Sequence, residues 1–161
     1  SSMVRLIIPP MPLTTTGSFS GLEVDPLFQL LNSQPIIGVI LVRLGRYAVG
    51  VYEGDKLVES KTDRRYVKGR HRAGGSSANR FARIRSGQID TLMKKVCGIV
   101  GQKFGPYEGR LEHVFLGGER MTIRKFVEGC QHLTVLAKIV RHMILDLLTR
   151  CHLYTSDADD D

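Results

Sequence analysis

The hydrophobic period of this chain changes at Ala78, and that change confines it to folds that mix strands with helices. Upstream, residues 36–42 are a β-branched apolar run of strand length, and residues 47–52 are a second, joined by Arg43-Leu44-Gly45-Arg46. Glu53-Gly54-Asp55 then turns the chain into a third run, residues 56–61, with Leu57 and Val58 apolar. Short apolar runs joined by Gly-containing turns predict a three-strand meander. From Ala78, Phe81, Ile84, Ile89, Leu92, Val96, Ile99, Val100 and Phe104 follow helical spacing up to a stop at Gly105-Pro106. Ser76 or Ser77 can cap that helix. Residues 111–116 read as a fourth strand, ended by Gly117-Gly118. A last helical stretch starts at Thr122, weakens at Gly129, resumes at Leu133 and runs through Leu147 to Arg150. The expected class is α/β, in the order β-β-β-α-β-α: a mixed sheet with helices packed on it.

The 161 residues suit one domain, expected over residues 21–150. Residues 1–20 hold Pro9, Pro10, Pro12 and Thr14-Thr15-Thr16-Gly17 and read as an extended lead-in, with a short strand at 4–8. Asp25-Pro26 before Leu27, Phe28, Leu30 and Leu31 predicts a short helix with Asp25 as its cap. Residues 151–161, Cys-His-Leu-Tyr-Thr-Ser-Asp-Ala-Asp-Asp-Asp, resemble a translated sequencing adapter and are read as a non-native tail. Three widely spaced cysteines, Cys97, Cys130 and Cys151, favour reduced thiols in a cytoplasmic chain over a disulfide framework. Cys97 falls on the apolar side of the long helix, as a core residue. No apolar run reaches the ~18–20 residues of a membrane span, so no membrane partner is expected.

The charge is concentrated. The chain carries 23 Lys+Arg against 16 Asp+Glu, a net charge of +7. Residues 61–85 alone hold nine basic side chains and one acid, Asp63, a local charge of +8. Solvated faces normally mix both signs. A single-sign segment of this kind is the footprint of phosphate binding.

Within it lies Lys68-Gly69-Arg70-His71-Arg72-Ala73-Gly74-Gly75-Ser76-Ser77-Ala78-Asn79-Arg80-Phe81-Ala82-Arg83-Ile84-Arg85. Gly74 and Gly75 permit backbone conformations and close approaches closed to other residues. They stand at the start of a helix, whose free N–H groups attract anions. Arg80 and Arg83 follow within two turns. Bare backbone flanked by guanidinium groups suits a polynucleotide backbone. The segment closely resembles the Gly-Gly-Gln loop and following helix of archaeal and eukaryotic class-I release factors, where the pattern is Gly-Gly-Gln-Ser, two variable residues, Arg-Phe-Ala-Arg, one residue, Arg. It is most similar to the related bacterial group of Vms-like release factors, which residues 41–50 and Val67-Lys68-Gly69-Arg70-His71 also fit. The resemblance covers residues 7–136.

That resemblance implies an RNase H-like domain that binds ribosomal RNA and peptidyl-tRNA and hydrolyses the peptidyl-tRNA ester, in rescue or quality control of stalled ribosomes. Gly74, Gly75, Ser76, Ser77 and Asn79 become the candidate catalytic loop. Lys68, Arg70, His71, Arg72, Arg80, Arg83 and Arg85 become the candidate RNA contacts. Where the family has Gln the chain has Ser76, and Asn79 is the nearest carboxamide; Gln88 lies too far along the helix to enter the loop. The alternative is therefore a ribosome- or tRNA-binding module that does not cleave. Tyr66, beside the basic run, can stack on a base or pack. No cofactor, metal or DNA partner is expected. Residues 36–42 offer no carboxylate for a two-metal nuclease. Cys130 and His132 lack the paired spacing of a zinc site.

Overall fold

The computed structural model describes residues 11, 17–18, 20–21, 23–69, 76–136 and 140–143. The chain divides into two compact units, Ser1–Gln34 and Pro35–Asp161. In the first, α1 (Asp25–Asn32) has Pro26 in its opening turn as expected. Its cap is Val24 rather than Asp25: the Val24 carbonyl accepts the Leu27 and Phe28 N–H groups, while the Asp25 N–H donates to the Glu23 carboxylate at 3.1 Å. The lead-in strand expected at residues 4–8 lies outside the described residues.

The second unit is a five-stranded mixed sheet in the order β3-β2-β1-β4-β5. Strands β1 (Ile36–Arg43), β2 (Arg46–Glu53) and β3 (Lys56–Arg64) form the antiparallel meander. Helix α2 (Ser76–Phe104) ends at a 3-10 turn, Gly105–Tyr107, where Pro106 stops it. Strand β4 (His113–Gly118) then pairs parallel to β1. Helices α3 (Arg120–Gly129) and α4 (Gln131–Val135) lead to β5 (Val140–Met143), parallel to β4. A mixed sheet with helices packed on it matches the expected class and the RNase H-like arrangement, with one strand more than the sequence suggested.

That extra strand is a correction. The apolar spacing of residues 133–147 reads as helix, yet residues 140–143 extend the sheet. A short apolar run fits either period, and β4 offers an edge whose unpaired backbone groups favour pairing. Residues 144–150 lie outside the described residues, as does the tail 151–161. β4 also starts and ends two residues later than expected: Gly117 and Gly118 stay in register with Leu41 and Val42.

One core forms between a face of the sheet and the helices. Ile40, Val42, Val49, Val51, Val114 and Leu116 meet Leu92, Val96, Val100 and Phe126, all fully buried. Gly38 lets the Phe104 ring lie directly on β1; a Cβ there would stand 2.6 Å from the ring edge. Two ion pairs bind β3, the edge strand, to α2: Lys95–Asp63 at 2.5 Å and Lys103–Glu59.

The cysteine expectation is also corrected. Cys97 of α2 is buried in the core, as expected, but is disulfide-bonded to Cys130, their Cα atoms 5.4 Å apart. Wide spacing in sequence concealed this: the break between α3 and α4 falls at Cys130 and turns it back onto α2. Closing a loop across 33 residues contributes roughly 3–4 kcal/mol by chain entropy. Reduction with dithiothreitol is therefore expected to lower the melting temperature by ~10 °C, read by circular dichroism. An unchanged melting curve would show that the bridge constrains nothing.

Candidate functional site

Helix α2 has 29 residues, about 43 Å at 1.5 Å per residue. Its first buried side chain among the described residues is Leu92. The sixteen positions before it extend about 24 Å with only partial cover, and Ile84 is 41% exposed. The helix thus carries an arm beyond its packed half, and Gly74-Gly75 immediately precede that arm in sequence.

Residues 65–69 run from β3 back along the arm and are fastened to it at Lys68. The Lys68 N–H donates to Gln88 Oε1 at 2.9 Å. The Arg85 guanidinium donates to the Lys68 carbonyl. The Lys68 ammonium sits 3.9 Å from the centre of the Phe81 ring, a cation–π contact. Phe81, Arg85 and Gln88 are spaced four and three apart, one stripe of the helix. Beside the stripe is a cleft of about 310 Å³ whose lining includes Gly69, Ala78, Phe81, Ala82, Arg85 and Ile89. Gln88 is the residue of this brace that sequence reasoning set aside as too far along the helix. It accepts the Lys68 N–H and so fastens residues 65–69 to α2.

Arg80 and Arg83 are exposed on α2 off this stripe, with no acidic partner among the described residues. Asn79 and Ser77 are exposed near the helix start. Ser76 is the first helical residue, and no acid occupies the first turn to quench the free N–H groups. Arg70, His71, Arg72, Gly74 and Gly75 lie outside the described residues. Lys68 and Arg85, expected as RNA contacts, have the internal partners just given.

Asp63, the one acid of the basic segment, faces Lys95. The hydrogen bond from Lys95 holds its carboxyl below the ordinary carboxylate range, and the Arg64 N–H adds to this at 2.7 Å. The same bond raises Lys95 above the ordinary lysine range. The acid is committed to its helix partner and leaves the remaining cations unneutralised. No group of ligating side chains fit for a metal occurs among the described residues. None of their helices is long and apolar enough to cross a membrane.

A mixed-sheet α/β domain whose long helix α2 is preceded in sequence by a basic, Gly-Gly segment is the class these features define. Residues 35–149 match the family model described as "Actinobacteria/chloroflexi VLRF1 release factor", and the chain belongs to that family. It is 32% identical over 120 residues to "Peptide chain release factor subunit 1" of Archaeoglobus fulgidus, covering 74% of this chain and 30% of the relative. It is 31% identical over 132 residues to the protein of the same name from Thermococcus sibiricus, covering 78% and 31%. The chain therefore spans about a third of the length of these relatives. Its fold is similar to the crystal structure of the archaeal translation termination factor aRF1, with a TM-score of 0.53 and 24% identity over 73% of this chain and 31% of that one.

Proposed function

We propose that this domain binds the ribosome in the cytoplasm and presents its glycine loop to the ester of peptidyl-tRNA, which it hydrolyses in rescue or quality control of stalled complexes. The mounting of the loop carries this reading. An unburied helical arm ends in the Gly-Gly segment and is braced at Lys68 by Phe81, Arg85 and Gln88. An arm of that length suits delivery of backbone into a deep, RNA-walled site. Family membership supports the same role.

In the reaction a water attacks the ester carbonyl, the acyl C–O bond breaks, one water proton passes to the ribose oxygen, and the products are a peptide carboxylate, a tRNA ribose hydroxyl and a proton released to solvent. No strong base stands in the loop sequence, so its contribution is positioning and hydrogen bonding. Gly74 and Gly75 supply exposed backbone, with Ser76, Ser77 and Asn79 as nearby polar side chains. Arg70, His71, Arg72, Arg80 and Arg83 hold RNA phosphates. Lys68 and Arg85 keep the loop base in place.

The test is peptide release from purified stalled ribosome complexes. Release by the wild type and its loss in Gly75→Ala are expected, because a Cβ at that position closes the approach. Release unchanged in Gly75→Ala would place the chemistry elsewhere. Ser76 in the family's Gln position favours a second reading, a ribosome-binding module that does not cleave. Under it both proteins bind and neither releases peptide.

A further inference from the structure

Across the meander, Arg43 of β1 pairs with Arg46 of β2, and Arg46 pairs with Arg64 of β3. Directly paired residues share a face, with Cβ atoms ~4.5–5.5 Å apart, so the three arginines form a transverse row about 10 Å long. Their neighbours fix which face it is. Val42 and Tyr47 are buried in the core, and Asp63 bonds to Lys95 of α2. The arginines therefore point away from α2, and all three are exposed. The outward positions of β1, β2 and β3 carry no carboxylate. None of the three arginines forms an ion pair among the described residues.

Like charges directly opposite one another destabilise a sheet, and a small irregularity produces the arrangement. The β2–β3 register shifts between Val51 and Tyr52, leaving Val58 as an extra residue. Counted from the Glu53–Lys56 pair without that bulge, Asp63 would stand opposite Arg46 and neutralise it. With the bulge, Asp63 turns to Lys95 and Arg64 takes its place in the row. Bulges commonly re-aim side chains near functional sites. At the end of the row the Arg65 N–H donates to the Gly45 carbonyl at 2.9 Å. This holds exposed Arg65 and Tyr66, the latter 75% exposed, against the β1–β2 turn.

We infer that Arg43, Arg46 and Arg64 form a second RNA-binding surface, which grips the phosphate backbone of one strand while Tyr66 stacks on a base. Guanidinium groups suit phosphate oxygens in paired hydrogen bonds, and an exposed aromatic ring adds sequence-tolerant stacking. The surface lies on the face of the sheet turned away from α2. That the RNA is ribosomal or transfer RNA rests on the function proposed above.

The probes are deacylated tRNA, protein-free ribosomal RNA and purified large ribosomal subunits, titrated over a salt series with wild type, Arg46→Gln/Arg64→Gln and Tyr66→Ala. The double variant is expected to fold with an unchanged or higher melting temperature, since repulsion is relieved. Its slope of log affinity against log salt should fall by about 1.4–1.8, two phosphate contacts. Tyr66→Ala should weaken binding without changing the slope. An unchanged slope in the double variant overturns the inference, even where peptide release by the same protein upholds the function. Absence of RNA binding by the wild type overturns both. Loss of subunit binding with binding to both tRNA and protein-free ribosomal RNA intact would assign the row to an acidic ribosomal protein and overturn it as an RNA site.

Discussion

Replacing Gly118 by Ala is expected to destabilise the domain by at least ~3 kcal/mol, a large share of the ~5–15 kcal/mol that holds a typical domain together. Gly118 is the last residue of β4, with φ +154°, and a Cβ there would stand 2.2 Å from the Val42 carbonyl oxygen. That oxygen belongs to the central strand, so it cannot rotate aside as a side chain would. Ile123, which opens the core face of α3, lies 3.0 Å from the same point. The variant must separate β4 from β1 or displace α3, and either opens the core. Gly98→Ala is the opposite case. Gly98 lies within α2 facing open space, and Ala in a helix interior is better than Gly by ~0.5–1 kcal/mol. Urea unfolding of the two variants should move the midpoint in opposite directions. A Gly118→Ala protein as stable as wild type would mean that the β4–β1 pairing is not as drawn.

The contrast between these glycines shows what the sequence could and could not disclose. Gly117-Gly118 was visible as the end of a strand; the Val42 oxygen that makes Gly118 irreplaceable comes from a strand 76 residues earlier. The meander and α2 were legible because their signals are local: β-branched runs, Gly turns, a long helical period and Gly105-Pro106. β5 was not, because an open edge on β4 decides its conformation. Cys97 and Cys130 were not: Gly129 marked a weak point in the helix, but not that the chain turns there and brings Cys130 back onto α2. The functional site divides along the same line. The loop motif was readable, whereas its brace was not, since Gln88 matters through one hydrogen bond to a residue twenty positions back. Arg43 and Arg46 flank a visible two-residue turn, but Arg64 joins them only through the bulge at Val58.

Ser76→Gln is expected to accelerate peptide release by ~100-fold, the scale of one well-placed hydrogen bond at a reacting carbonyl. Ser76 opens α2, directly after Gly75, where the family pattern has Gln. A serine hydroxyl donates and accepts through a single oxygen, whereas the glutamine carboxamide carries its acceptor and donor on separate atoms and reaches farther. The brace at Lys68 does not involve residue 76, so the loop's mounting is unchanged by the substitution. Ser76→Ala tests the other direction. If the serine hydroxyl contributes to the wild-type reaction, its removal slows release but less severely than Gly75→Ala, which blocks the backbone itself. Single-turnover release from stalled complexes at saturating protein separates these rates from binding. The ordering Ser76→Gln, wild type, Ser76→Ala, Gly75→Ala supports chemistry carried by backbone and assisted by the side chain at 76. Activity that appears only in Ser76→Gln would identify the natural chain as a binder with its loop still shaped for hydrolysis. A Ser76→Gln protein that binds ribosomes as tightly as wild type and releases nothing would remove ester hydrolysis from this loop altogether.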